Sequence, residues 1–386
     1  MKRILVCRFG AWGDSVILTP VLKRLKEDGY HITLNCTKRA FPVLKYNPNI
    51  DAYLMQEDDL IPNNQLSAYW AEISKGYDRF LNMSETLEAK FLFSPFQEKR
   101  FPDPNNPDED VLLRFGQKEY YLPVEERRAL CSHTNYYDYA LQVAGYNDVE
   151  KPTGELFFSP LEEALCMAFR ERFKDYFLIM WCLSGSSMHK MWLGAEETAL
   201  NLLFKHKDII TITVGDYPCK LIEWQDQRNI SMIGEWDIRT SMLMTKYVDL
   251  VISPETGILN AAGCFDTPKI GLLTHSSKTN LTKHFNNDYS IQAHIDCSPC
   301  HRMIYMDNFR DCPLIGGGAE KGGVDACACA GTESFQPRKV MQVVEEVYDK
   351  WKSKRRGVPF VRQKRPGIVL YGPQGQTLPN SKGIAV

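Results

Sequence analysis

Apolar residues fall into short blocks along the first half of the chain, and each block is followed by a stretch of helical spacing. Residues 4–7, Ile-Leu-Val-Cys, form an unbroken apolar run closed by a glycine-containing turn, which predicts a strand buried on both faces. Similar blocks predict strands over 32–36, 52–55 and 79–82. Between and after them the spacing predicts helices over 16–26, 41–46, 66–74, 86–93 and 134–143, the last ending at Gly145. Residues 101–110, rich in Pro, Asp and Asn, read as loop.

The alternation starts afresh beyond Pro152, with strands over 176–182, 209–214, 230–233, 250–253 and 269–273. The helices of this second series fall at 195–205, 219–225, 239–247 and 257–264, and a final helix covers 338–352. No short period repeats; what recurs is the whole α/β half. Strands alternating with helices argue for a parallel sheet covered on both faces, and two such halves suit a ligand gripped from both sides.

Composition narrows the picture little. A chain of 386 residues fits two or three domains of about 150 residues each. The formal charge of −2 does not announce a nucleic-acid or membrane partner. No apolar run approaches the ~20 residues that span a bilayer. The opening Met1-Lys2-Arg3 enters a strand at once, unlike a signal peptide, so a cytoplasmic protein is expected. One local exception is a basic segment carrying Lys352, Lys354, Arg355, Arg356, Arg362, Lys364 and Arg365. It reads as a solvated tail, or as an arm for phosphate-bearing partners, nucleic acid or an anionic lipid surface.

Three turns carry candidate chemistry. Behind the first strand comes Gly10-Ala11-Trp12-Gly13-Asp14, which is neither the dinucleotide fingerprint nor a nucleotide-binding P-loop. Asp14 there is either a helix-capping aspartate or an ionised carboxylate able to take a proton from a bound hydroxyl. The second turn, Ser184-Gly185-Ser186-Ser187 with Lys190, offers small residues, hydroxyls and a point charge to a phosphate. The third, Ser253-Pro254-Glu255-Thr256-Gly257 through Asn260, starts another helix at a strand's carboxyl end. Glu255 suits a ribose or sugar hydroxyl better than a phosphate.

In this order the three turns resemble glycosyltransferase family 9, the heptosyltransferase-like enzymes of lipopolysaccharide assembly. The opening 4–14 with Thr19-Pro20, the strand around Tyr77-Asp78-Arg79, Lys190-Met191-Trp192, and Glu255-Thr256-Gly257 through Ala262 carry the likeness. It spans roughly residues 1–352. Glu255 stands where the family has Asp, and Asn260 where it has His, so the donor sugar is not carried over.

The resemblance implies a GT-B fold, two facing Rossmann-like domains with a central cleft. Residues 1–160 would bind the acceptor and 161–337 the nucleotide sugar, 338–352 would be a crossover helix, and 353–386 a basic tail. It implies an inverting, metal-independent glycosyltransferase that moves a heptose-like sugar from a nucleotide-sugar donor, an ADP-sugar, to a hydroxyl of a saccharide or glycolipid acceptor such as lipopolysaccharide core. Work at the inner face of the membrane would fit such an acceptor. Asp14 would be the general base. Lys190 would steady the leaving diphosphate, with Ser184, Gly185, Ser186, Ser187, Glu255, Thr256, Gly257 and Asn260 on the donor side. Gly10, Trp12 and Gly13 would lie on the acceptor side. Two alternatives stay open: the same chemistry on a nucleic acid held by the basic tail, and a non-catalytic protein that binds sugar nucleotides.

The chain has twelve cysteines, and five of them, Cys297, Cys300, Cys312, Cys327 and Cys329, crowd into the stretch 297–329. The run is similar to one that many family members carry. Its Cys-x-x-Cys start with further cysteines and His301 fits a structural zinc site; free thiols or a local disulfide are the alternatives. No cofactor is expected for catalysis.

Overall fold

The computed structural model describes residues 1–8, 10–55, 72–73, 75–83, 133–185, 190–299 and 333–355. The helices expected over 66–74 and 86–93, the loop 101–110 and most of the basic tail fall outside the described residues.

The first half builds β1 (Arg3–Arg8), α1 (Trp12–Glu27), β2 (His31–Cys36), α2 (Phe41–Leu44), β3 (Ala52–Met55) and β4 (Arg79–Asn82). Its four strands are all parallel, in the order β3-β2-β1-β4. β1 is a central strand, and its residues Ile4, Leu5, Val6 and Cys7 are fully buried, as a strand covered on both faces requires. The chain then reaches α3 (Tyr136–Val143) and α4 (Pro160–Arg172). α4 has no counterpart among the sequence expectations, although its start is legible. Ser159 and Glu162 form a capping box and Pro160 opens the first turn.

The second half contains β5 (Phe177–Cys182), α5 (Ala195–Lys205), β6 (Ile209–Val214), β7 (Asn229–Ser231) and α6 (Ile238–Met244), followed by β8 (Leu250–Pro254), α7 (Gly257–Gly263), β9 (Lys269–Leu273), β10 (Ile291–Gln292) and α8 (Pro337–Lys354). These six strands are again all parallel, in the order β10-β9-β8-β5-β6-β7. Every residue of β5, β6, β8 and β9 is buried. The helix expected over 219–225 is instead a short 3-10 turn, Tyr217–Leu221. Tertiary bonds override local propensity there. Glu223 accepts from Asn229 Nδ2 at 3.1 Å and from Ser231 Oγ at 2.9 Å, and Trp224 Nε1 donates to Thr211 Oγ1 at 3.2 Å, pulling the chain onto β6 and β7.

α8 buries Val340, Val344, Val347 and Tyr348, a stripe at helical spacing. Tyr348 and Trp351 pack on Phe177 of β5, and the Tyr348 hydroxyl donates to Asp208 at 2.5 Å. The stripe therefore seats the helix on the second sheet, where the sequence reading had it crossing back to the first half. No helix among the described residues is long and apolar enough to cross a membrane.

Arg239, on α6, ties the halves together. It donates to Pro42 O at 2.5 Å, to Phe157 O at 3.0 Å, and to both carboxylate oxygens of Glu162 at 2.5 and 3.0 Å. That guanidinium holds the Glu162 carboxyl down at about 2, against the opposing effect of burial.

Candidate active site

In each sheet the strand order reverses direction at one place. The first sheet runs outward from β1 to β2 and β3, then returns to β4 on the other side of β1. The second runs from β5 to β6 and β7, then returns to β8 beside β5. Ligands of open parallel sheets bind outside the carboxyl ends of the strands at these switch points. The β1 switch point opens into Arg8 through Asp14. The β5/β8 switch point opens into Ser184, Gly185 and Lys190 on one side and Glu255 through Gly257 on the other. The described residues of all three sequence motifs thus lie where the topology puts a ligand.

The two switch points also meet. A Cβ built on Gly257 would stand 2.8 Å from Trp12 Cβ and 3.3 Å from the Gly13 nitrogen, so the starts of α1 and α7 touch through their backbones. A Cβ on Gly13 would stand 2.9 Å from Asn260 Nδ2, and one on Gly185 would stand 2.7 Å from Lys190 Cδ. Glycine at these positions is a condition of the close approach.

Asp14 lies in the first turn of α1, which starts at Trp12, four residues ahead of the expected helix start. Its Oδ2 accepts the Ala11 N–H at 3.0 Å, and its Oδ1 pairs with the Arg8 guanidinium at 2.6 Å. Arg8 also donates to Met83 O at the end of β4. The Asp14 side chain keeps 39 % of its surface exposed. It is both a cap and an accessible carboxylate, which joins the two readings open at the sequence level. Trp12 donates its indole N–H to Arg39 O at 2.9 Å, and the Arg39 guanidinium lies over its ring at 5.0 Å.

Lys190 is buried, and its ammonium has no hydrogen-bond or ion-pair partner among the described residues. Burial lowers its pKa, while the charges of Glu255 and Asp14 pull it back toward protonation. A desolvated cation between two carboxylates, with no direct partner, is a site for an added anion. Ser184 is nearby, but its hydroxyl is paired with Cys219 Sγ at 2.9 Å. Ser186 and Ser187 lie outside the described residues.

Glu255 differs from its sequence expectation. Its Oε1 accepts from Thr274 N at 3.1 Å, Ser276 N at 2.8 Å and Ser276 Oγ at 2.7 Å. Its Oε2 accepts from Thr274 Oγ1 at 3.0 Å and His275 Nδ1 at 2.6 Å, with His275 N at 3.4 Å. Those donors saturate both oxygens, so Glu255 anchors the loop after β9 and holds no capacity for a sugar hydroxyl. Burial works against its ionisation, but His275, Lys190 and Ser276 outweigh that and hold the carboxyl far below the usual range.

Thr256 is also committed. Its hydroxyl caps α7 by accepting from Ile258 N at 3.2 Å and Leu259 N at 3.4 Å. Only backbone N–H groups of this turn, such as that of Gly257, are left without an intrahelical acceptor. Asn260 donates to Thr256 O at 3.0 Å and accepts from Tyr137 at 2.8 Å, so it too faces the protein rather than a ligand. Sequence reasoning gave no role to Arg8, although it lies in the same turn as Asp14, and missed His275 and Tyr137, which reach the site from a distant loop and a distant helix. Of the five cysteines considered for zinc, Cys297 is described and partly buried, and Cys300, Cys312, Cys327 and Cys329 lie outside the described residues.

No sequence-family model and no curated protein matches this chain. Solved structures do. A family 9 glycosyl transferase of Veillonella parvula DSM 2008 superposes with a TM-score of 0.63 at 15 % identity, over 90 % of this chain and 98 % of that one. The E. coli ADP-heptose lipopolysaccharide heptosyltransferase II gives 0.59 at 12 % identity, over 91 % and 100 %. The E. coli heptosyltransferase WaaC, in its structure with ADP-2-deoxy-2-fluoro heptose, gives 0.54 at 11 % identity, over 89 % and 99 %. The chain has the α/β fold of the family 9 glycosyltransferases and the ADP-heptose lipopolysaccharide heptosyltransferases.

Proposed function

We propose that the protein is an inverting glycosyltransferase that moves a sugar from a nucleoside-diphosphate sugar to a hydroxyl of a saccharide acceptor. The observation that carries this reading is Lys190, a buried cation without a direct partner among the described residues, at the point where the two switch points meet. A diphosphate supplies the missing partner, and the fold neighbours include an enzyme held with an ADP-heptose analogue.

In the reaction, Asp14 takes the proton of the acceptor hydroxyl. The freed oxygen attacks the anomeric carbon opposite the diphosphate, and the bond from that carbon to the phosphate oxygen breaks. Its electron pair leaves on the nucleoside diphosphate, and the configuration at carbon inverts. Lys190 and the amides of the β8–α7 turn meet the charge that grows on the leaving group. Arg8 holds the Asp14 carboxylate in place. Both carboxylates of the site are already paired within the chain, Asp14 with the Arg8 guanidinium and Glu255 with the His275 ring, so the reaction is expected to run undiminished in a chelator. A heptose-like sugar on an ADP carrier and an acceptor of the lipopolysaccharide-core type are the first substrates to try.

Thermal shift against ADP-, GDP-, UDP-, CDP- and TDP-sugars tests the reading. One sugar nucleotide raises the melting temperature of the wild type and has a weaker effect on Lys190→Ala. A flat response across the panel, followed by no transfer from any donor, overturns it. The five cysteines of 297–329 are proposed as a structural metal site, and metal analysis of the purified protein names the ion or finds none.

A further inference from the structure

The contacts of α3 fall into a pattern that the proposed reaction does not use. Asn135 caps this helix through Oδ1, accepting Tyr137 N at 2.9 Å and Asp138 N at 3.3 Å. Its Nδ2 donates across to Thr279 O at 3.0 Å and Asn280 O at 3.1 Å. Asn280 returns the bond, donating from Nδ2 to Thr134 O at 2.8 Å. One turn on, Asp138 meets Lys283 at 3.1 Å and His284 Nε2 at 2.8 Å. α3 is thus stitched to the segment 279–284 of the second half. Its other buried residues, Ala140, Leu141 and Val143, join the core that holds Leu18, Val21 and Leu22 of α1.

Tyr137 stands at the centre of this seam. It is fully buried, its ring meets Phe285 edge-on at 6.0 Å, and its hydroxyl donates to Asn260 Oδ1 at 2.8 Å. Thr256 O can only accept, so the amide nitrogen of Asn260 must face it and the carbonyl oxygen must face Tyr137. That orientation presses Nδ2 against Gly13, one residue before Asp14. A single side chain therefore touches the start of α1, the start of α7 and α3.

We propose that Tyr137 is a positioning residue of the transfer reaction, acting through Asn260 to fix the start of α1, with Asp14, against the start of α7, with Thr256. The separation of base and donor is then set before substrate binds. At position 260 the asparagine amide supplies both the acceptor for Tyr137 and the donor for Thr256 O. The kinetic consequence rests on the transferase reading; the structural one does not.

The test uses the full chain with Tyr137→Phe, which keeps the ring on Phe285 and removes only the hydroxyl. Amide hydrogen exchange of the first turn of α1 is compared with wild type, together with the affinity for ADP and for the active sugar nucleotide, and with kcat and KM. Exchange in that turn is expected to rise several-fold although the Tyr137 hydroxyl makes no bond to it, and kcat to fall about 10- to 100-fold, the scale of an ångström misplacement. ADP affinity and donor KM should stay within about twofold, because the donor contacts are untouched. Asn260→Ala should repeat the pattern, and Phe285→Leu should lower the melting temperature without changing exchange in α1. A Tyr137→Phe protein that only melts earlier, or that loses kcat and ADP affinity in proportion, overturns the proposal. If the wild type binds no sugar nucleotide and transfers nothing, the transferase reading fails, and exchange in α1 still decides the seam.

Discussion

Two turns of this molecule look alike in sequence and do opposite work. In the β1–α1 turn and the β8–α7 turn a buried strand ends, a carboxylate follows, and a glycine lets a helix start pack closely. Asp14 keeps 39 % of its side chain exposed and, among the described residues, pairs with the Arg8 guanidinium and the Ala11 N–H. Glu255 keeps 3 % and is surrounded by donors from Thr274, His275 and Ser276. A carboxylate that still has surface and lone pairs can accept a ligand's proton. One that is saturated and held ionised by a partly buried histidine and a buried lysine can only anchor. The environment, more than residue type or spacing, decides which acid is left able to act as a base and which is a rivet.

The sharpest way to break that contrast is to remove the rivet. Glu255→Ala strips the buried Lys190 and the partly buried His275 of the carboxylate charge that acts on both, and the loss is expected to be about 3–5 kcal/mol, the range for stripping one partner from a buried pair. Denaturant unfolding measures it; a loss near zero would return Glu255 to the ligand. Lys190→Ala is expected to cut kcat/KM by about 10²–10³, as when one donor to a developing anion is lost. Steady-state kinetics with the donor found by thermal shift checks this.

Alkaline pH gives a smaller, distributed effect. Burial raises the thiol pKa of Cys182 to about 11 and those of Cys36 and Cys166 to about 12, and pushes Cys7, Cys219 and Cys264 up as well. Folded values above unfolded ones mean that this stability is complete below about pH 9 and is lost as pH rises through the folded values. Lys269, lowered by burial to about 8, and Lys190, also lowered by burial, work the other way between their folded values and the unfolded value of 10.5, but they are two groups against six. Stability of the reduced protein should therefore fall between pH 9 and 11; a rise would show that the lysines dominate. Smallest is Thr256→Val, which removes the α7 cap and should cost about 1 kcal/mol. A much larger loss would show that the Ser253–Thr256–Cys182 contacts matter beyond the cap.

Much of the fold was legible because parallel strands buried on both faces read as apolar blocks. β2, β3 and β4 end as expected, and β6 and β9 match residue for residue. α4 was missed although Ser159, Pro160 and Glu162 spell a helix start; its single fully buried residue, Cys166, leaves almost no apolar stripe to read. The three motifs were legible as turns after strands, but their convergence depends on sheet order, which local patterns do not encode. The clamp on Glu255 comes from residues about twenty positions on, and the partner of Asn260 lies far upstream at Tyr137. Neither contact leaves a periodic signal in the chain.

The most direct measurement is single-turnover transfer by Asp14→Asn with the identified donor bound. Full donor affinity, a native melting temperature and a rate reduced about 10²- to 10⁴-fold are expected of a lost base. A wild-type rate would contradict the assignment of Asp14, and lost donor affinity would show that the carboxylate serves the donor side of the site.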